Sequence, residues 1–596
     1  MKSRYVVILG SILVILLVVQ ATMSMRNKSV TVDEIMYIAT GYYHIETGDF
    51  QMNMTNPPLM KMLSAFPLMF IDLKIPAIDD NPKEWSLIRQ WQFARTFLYE
   101  NTVGADKILF LARLPIVIIS VLLGLYVFML SRELYGEKAG LFALFLYCFS
   151  PNILAHSRLA THDLGLTAFM FISSYYFLKL CRYQSVNNLL LCGFFFGLAL
   201  LTKTTGLFLL PIFALYSAAL LIQGEKHSLF ERLMKYINIG KRQNLVQQIT
   251  SRITSLCVIG LVGLAVLNAG YGLKGSLQPL PVENKMAMIK SLPVKNDVFE
   301  SIATLALEVP IPAPSAYLEM IKFQKNLVGS SGNVYFGGKI YSQGIWYLIF
   351  ISFLIKTPIP LLIALLFSLV SMAKSFRRPR DELMMIFLVG FLFFVFAYNS
   401  NINVRLRYVL PVFPFLHVFA SRFISEIGLE RKYLFFSTLG LCVWYLISSI
   451  STYPHFLAYF NEFVGGPKNG YKYQVDSNLD WGQDLKGLKN YMDEKGIEKI
   501  KLGYFGSADA DYYGIDYDYL PSVGLKPKEP GQYWWYEIDE NQRYEPGPQK
   551  GILAISATLL ASPGWMKSLF HETYAWLRDH EPIDHIGYSI LIFKIE

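Results

Sequence analysis

The sequence predicts an α-helical polytopic membrane protein that ends in a small α/β segment. Three observations predict it. Of the 596 residues, 53% are hydrophobic and only 17% charged, with a mean hydropathy of +0.35, too apolar for a soluble chain of this length. The apolar residues gather into runs of about 20, the length that spans a bilayer. Lys and Arg fall mainly in the short loops between these runs, so the net charge of +9 marks membrane orientation and not a nucleic-acid partner.

On that ruler about eleven helices are expected, starting near residues 5, 108, 139, 161, 188, 206, 253, 344, 384, 405 and 433. The first, Tyr5 to Met23, lacks a small-x-small cleavage site and reads as an uncleaved span. The loops "SRELYGEKA", "KLCRYQ", "GEKHSLFERLMKYINIGKRQ", "KSFRRPRDE" and "ERK" are basic and share one side if the N-terminus is cytoplasmic. The opposite short loops hold only Arg158, Lys203, Arg405 and Arg407. The positive-inside rule therefore places the N-terminus inside and the C-terminus outside. Five cysteines, Cys148, Cys181, Cys192, Cys257 and Cys442, lie in or beside apolar runs, with no spacing that suggests a disulfide framework or zinc.

Two units are expected: a transmembrane unit, residues 1–452, and an extracytoplasmic α/β unit, residues 453–596. The first has long outer loops at 24–106 and 271–343. "LMKMLSAFPLMF" and "LIRQWQFARTFLY" in the first loop read as amphipathic helices in the interface plane. The tail reads as helix "GQDLKGLKNYMDEKG", strand "IKLGYF", strand "GILAISAT", helix "WMKSLFHETYAWL" and strand "GYSILIFKI".

The polar residues that stand out at the span ends all fall on the outer side. Asp33 and Glu34 follow the first helix, and Arg113 opens the second. Arg158, His162 and Asp163 share "SPNILAHSRLATHDLGL", Lys203 sits in "TKTTG", and Arg405 and Arg407 sit in "NVRLRYVLP". Each also has a plain structural reading. Asp33 and Asp163 suit helix N-caps, the two arginines suit snorkelling at an interface, and His162 suits a satisfied loop histidine. The combination is more specific than any member. Transport of a lipid-linked saccharide, the alternative activity, would place charges near mid-bilayer, where these spans are almost free of them. Carboxylates and cations at headgroup depth suit sugar transfer from a polyprenyl-phosphate donor. Cations hold the leaving phosphate and a carboxylate takes the acceptor proton. No nucleotide motif is needed.

"VDEIMYIATG", "NPPLMKML", "SPNILAHSRLATHD", "GLALLTKTTGLFLLP" and "NVRLRYVLPVFPFL" resemble, in order, the dolichyl-phosphate-mannose–protein mannosyltransferase family. Its bacterial relatives include the transferase that puts aminoarabinose on lipid A. The resemblance covers roughly residues 1–425 and implies the GT-C membrane fold and inverting transfer from a polyprenyl-phosphate sugar. It further implies Asp33, with Glu34 beside it, as the catalytic acid pair and Asp163 as the second acid. Lys203, Arg405 and Arg407 become donor-phosphate ligands, with Arg405 favoured of the two arginines, and Arg113 and Lys61 join them. The family often has His before its Pro pair, where this chain has Asn56. The β-trefoil of the eukaryotic members is missing from the tail, which leaves the acceptor open among protein Ser/Thr, lipid and glycan. The resemblance implies a prokaryotic inner or plasma membrane and no required cofactor, although paired carboxylates leave a divalent ion open.

In the tail, Asp476, Asn478 and Asp480 begin like a calcium loop, but Trp481 replaces the turn glycine and Gly487 stands at position twelve. Asp480 or Ser477 then reads as a helix cap. The sharper reading is an acceptor rim of His162, Asp480 and Trp481, the indole serving as a sugar-stacking face. The topology has a direct check. A cysteine placed at Asn541 is expected to react with an impermeant thiol reagent in intact cells, and labelling only after lysis would contradict the orientation.

Overall fold

Ser3–Arg26 forms helix α1, whose charges stand only at its ends, Arg4 and Arg26. Its flank leaves Val7 64% and Ile15 60% exposed, apolar surface that a bilayer covers. The computed structural model describes residues 3–77, 85–223, 245–279, 308, 310–330, 334–342, 344–374, 380–398, 406–426, 432–526, 547–561 and 573–596. Among them, six helices are long and apolar enough to cross a membrane: Arg4–Arg26, Ala105–Tyr135, His162–Tyr183, Thr204–Ile222, Leu245–Gly270 and Lys432–Ile450. Leu348–Lys356 and Ile359–Lys374 meet at 112° and make a seventh if taken as one span. Pro358 and Pro360 stand at that break, where a missing N–H and a ring clash end a helix. Shorter apolar helices, Glu137–Cys148, Val186–Thr202, Glu382–Tyr398 and Val412–Ser425, occupy the remaining expected positions. The chain is an integral membrane protein built of helices.

Three helices fill the loop after α1: α2 (Val32–Thr47), α3 (Leu59–Ala65) and α4 (Leu87–Tyr99). The last two coincide with the expected amphipathic segments. Helix α2 lies so close to α3 that a Cβ at Gly41 would sit 2.0 Å from the Lys61 carbonyl oxygen. Only glycine permits that approach.

A two-stranded hairpin, β1 (Val334–Phe336) and β2 (Lys339–Tyr341), precedes the tail. The tail supplies a helix, Leu485–Lys495, and strands β3 (Lys499–Gly503), β4 (Asp516–Tyr519), β5 (Gly551–Ser556), β6 (Asp584–Ile586) and β7 (Ile590–Ile595), paired in one sheet in the order β4-β3-β5-β7-β6. Strands β3, β5 and β7 are the three that the sequence predicts. Strands β4 and β6 are short and charged, with no apolar run to betray them. The expected helix "WMKSLFHETYAWL" falls mostly outside the described residues, and Ala575–Asp579 is a 3-10 turn. The sheet shares one apolar core with the helices of the loop after α1. Leu502, Ala554 and Ile592 pack with Ile35 and Ile38 of α2 and Phe97 of α4.

One buried ion pair ties these parts together. Arg113, on helix α5 (Ala105–Tyr135), grips Glu34 through Nε and Nη2 at 2.8 and 2.7 Å. Its remaining N–H groups donate to the carbonyls of Met25, Lys28 and Ser29 at 3.0–3.2 Å. Glu34 also accepts from the backbone of Thr31 at 3.0 Å and of Ala160 at 2.8 Å. Burial alone would raise the Glu34 pKa, but Arg113 and the two backbone N–H groups hold it below the ordinary range. The end of α1, the first turn of α2, α5 and the loop at Ala160 are thus fixed to one carboxylate.

Removing one partner of a buried pair strands the other, so Glu34→Gln is expected to cost ~3–5 kcal/mol of stability. Because the folded pKa is depressed, that stabilisation is full above the ordinary glutamate range and is lost as pH falls through the depressed value. Thermal unfolding in detergent should therefore separate wild type from variant at neutral pH. Equal midpoints there would contradict the role.

Candidate active site

Helix α2 begins at Thr31, the residue in the N-cap position, so Asp33 and Glu34 are its second and third residues. Successive helical residues point about 100° apart, and the pair divides. Glu34 turns inward to Arg113, while Asp33 turns to a cavity of about 350 Å³. Asp33 is therefore not the cap that its position suggests. The cavity is lined by Asp33, Tyr37, Asn56, His162, Asp163, Lys203, Gln324, Arg407 and Tyr408, with Phe208, Val395 and Phe396 on an apolar side.

Two ion pairs face this space. Arg407, in the 3-10 turn Leu406–Val409, donates from Nη1 to Asp33 Oδ2 at 2.9 Å. The carboxylate stays 26% and the guanidinium side chain 16% exposed. Asp163 lies in the first turn of helix α8 (His162–Tyr183), behind Thr161 as N-cap, and it too is not the cap. Its Oδ1 accepts from Lys203 Nζ at 2.9 Å. Lys203 is reached because helix Val186–Thr202 stops there, with Lys203 in extended backbone before the 3-10 turn Thr204–Phe208. Irregular backbone at a span end is tolerated where it faces a cavity.

Aromatic rings join the two pairs. Lys203 Nζ lies 4.5 Å from the Tyr408 ring centre, and Arg407 lies 5.9 Å from the same ring. Tyr37 donates from its hydroxyl to Asp33 at 3.4 Å and accepts from Asn56 Nδ2 at 3.1 Å. His162 packs edge-on to Tyr37, ring centres 4.3 Å apart, on the cavity wall.

Several expected site residues do other things. Glu34 and Arg113 are buried and spent on each other and on backbone, so neither is free to touch a substrate. Lys61 is buried behind the wall, donating to the carbonyls of Asn53 and Asn56, the latter at 2.8 Å. It orders the loop that carries Asn56. Asp480 is buried, accepting from the N–H of Thr558 at 2.9 Å and of Gly482 at 3.3 Å, and burial pushes its pKa up to about 7. It makes a turn rather than a rim, and Asp484 is the residue at the N-cap position of the following helix. Trp481 is buried as well, its ring under the Arg407 guanidinium at 4.6 Å, so it offers no open face for a sugar. Arg405, the favoured arginine, lies outside the described residues.

The sequence reading missed Tyr37, Asn56 in its hydrogen-bonding role, Tyr408 and Gln324. Tyr37 is four residues after Asp33, the same-face spacing of a helix, and Tyr408 directly follows Arg407; both were readable. Gln324 comes from helix Ser315–Ser330 and donates to the Thr55 carbonyl at 2.6 Å. It lies in the 271–343 loop, for which the sequence reading gave no helix. Among the described residues, no group of three or more His, Cys, Asp or Glu side chains is placed to hold a metal ion.

Residues 105–240 match the family described as dolichyl-phosphate-mannose-protein mannosyltransferase. No curated protein matches the chain by sequence. Among solved structures, the chain is similar to ArnT from Cupriavidus metallidurans bound to undecaprenyl phosphate, at 12% identity and a TM-score of 0.41, over 99% of this chain and 98% of that one. It is similar to the apo oligosaccharyltransferase of Archaeoglobus fulgidus at 14% identity and a TM-score of 0.44, over 96% and 64% of the two chains. A third is the S. cerevisiae Pmt1–Pmt2 complex bound to the sugar donor, at 18% identity and a TM-score of 0.28, over 46% and 33%. Over residues 105–240, the stretch that holds Asp163 and Lys203, the chain carries the signature of the dolichyl-phosphate-mannose-protein mannosyltransferase family that its motifs resemble.

Proposed function

We propose that this protein is an inverting glycosyltransferase that moves a sugar from a polyprenyl-phosphate donor to an extracytoplasmic acceptor hydroxyl on protein, lipid or glycan. One observation carries the reading: Asp33, Asp163, Lys203 and Arg407, from four separated segments, face one cavity. Asp33 takes the proton of the acceptor hydroxyl as the oxygen attacks the anomeric carbon. The bond from that carbon to the phosphate oxygen breaks on the opposite face, which inverts the configuration. The electron pair leaves with polyprenyl phosphate, whose growing negative charge Arg407 and Lys203 stabilise.

The ion pairs suit this exchange. Each cation is held in place by a carboxylate until a phosphate competes for it. A phosphate on Arg407 would release Asp33 to act as base, so donor binding and base activation become one event. Asp163 keeps Lys203 aimed at the cavity. The wall of Phe208, Val395 and Phe396 offers an apolar side for an isoprenoid tail. The dolichyl-phosphate sugar named in the family description is a donor of the same chemical class. No cofactor is required by this scheme. The basic loops support an extracytoplasmic site, and we infer a prokaryotic inner or plasma membrane from the resemblance to bacterial members of the family.

Asp33→Asn keeps shape and polarity but removes the proton acceptor. Turnover with a panel of polyprenyl-phosphate sugars, followed as released lipid phosphate, is expected to fall at least ~100-fold, while donor binding persists. Full turnover in this variant would overturn the assignment. Arg407→Lys keeps the charge but loses the planar fork that holds two phosphate oxygens. It is expected to lower turnover clearly, and free exchange of Arg for Lys would remove Arg407 from the phosphate site.

A further inference from the structure

The tail segment from Asp476 to Leu485 reaches both members of the Asp33–Arg407 pair. On the arginine side, Asn478 Oδ1 accepts from the backbone N–H of Leu406 at 3.3 Å, directly before Arg407. The Trp481 indole then lies under the guanidinium at 4.6 Å. On the acid side, the Trp481 carbonyl accepts from Val32 N–H at 3.0 Å, directly before Asp33. Ser29 N–H donates to the Gln483 carbonyl at 3.0 Å, and Ser29 Oγ donates to the Gly482 carbonyl at 3.1 Å.

The segment is itself anchored. Asp480 holds Thr558, two residues past β5, and Lys356 donates to the Asn478 carbonyl at the break between the two bent helices. Lys28 pairs with Asp484, which also accepts from Ser589 Oγ at 2.7 Å. The order of contacts therefore runs from the sheet, through Asp480 and Trp481, to the base and its cation.

We propose that Trp481 is a positioning residue for transfer: its ring carries Arg407 and its backbone fixes the first turn of α2, so that one residue sets the distance between Arg407 and Asp33. This rests on Arg407 being the donor-phosphate ligand. The physical logic is that Arg407 has one hydrogen bond to a partly exposed acid and otherwise lies against aromatic faces. A guanidinium on an indole face is attracted to the ring yet keeps its in-plane N–H groups free. The tryptophan thus orients the arginine without consuming the donors that a phosphate needs, which a second carboxylate could not do.

The test is binding of radiolabelled undecaprenyl phosphate to the purified full-length protein in detergent, in a double-mutant cycle. Trp481→Leu is expected to weaken binding about tenfold, the scale of a partly desolvated cation–π contact. Trp481→Phe, which keeps a smaller ring, should fall between Leu and wild type. The Trp481→Leu/Arg407→Lys double variant should bind no more weakly than Arg407→Lys alone, because the tryptophan acts through the arginine. Should Trp481→Leu not fold, the same cycle with Trp481→Phe decides the matter. Multiplying losses in the cycle, or wild-type binding in the Leu or Phe variant, would overturn the positioning role. Wild-type binding in Arg407→Lys alone would instead overturn the functional reading beneath it.

Discussion

The acid side of the cavity depends on the buried pair of Arg113 and Glu34. Five N–H donors of one guanidinium meet a carboxylate and three carbonyls, which leaves no donor idle in a place without water. A pair so buried stabilises little on net against an apolar replacement. Its value is geometric. It fixes where α1 ends and how α2 is rotated about its axis, and rotation decides which acid of the Asp33–Glu34 pair reaches the cavity.

The two acids illustrate how environment divides chemically similar side chains. Glu34 has its oxygens filled by Arg113 and two backbone N–H groups and cannot accept a further proton donor. Asp33 keeps a partly exposed contact with Arg407, and it retains access to the cavity. The same contrast separates the cations. Arg113 and Lys61 serve backbone carbonyls, whereas Arg407 and Lys203 face the open space through single carboxylate contacts and aromatic rings. A site for an anionic leaving group needs cations that are held but not used up, and only the second pair meets that condition.

Much of this architecture was legible. Apolar runs of bilayer length and the interruption "TKTTG" give helices and one of their breaks, because a span without water has few ways to hide its backbone; the bend at Pro358 was not read from the run that starts near 344. Asp33, Asp163, Lys203 and Arg407, which line one cavity, were expected together because the loop charges assign them to the same end of the spans. What could not be read was which of the charged residues are consumed by the fold. Arg113 looks like an interface cation in sequence, and only its three-dimensional company with Met25, Lys28 and Ser29 shows it to be spent. Trp481 looked like an exposed aromatic rim for a similar reason. Its partners, Arg407 and Val32, are distant in sequence, and no local pattern reports such contacts. Strands β4 and β6 escaped because at four and three residues they are too short for an alternation to stand out.

The most direct test of the central claim is a structure of the protein with undecaprenyl phosphate bound. The account predicts the phosphate in the cavity, within hydrogen-bond reach of Arg407 and Lys203, with the Arg407–Asp33 contact opened and the Asp33 carboxylate free. A phosphate seated elsewhere, with the Arg407–Asp33 pair intact, would contradict it.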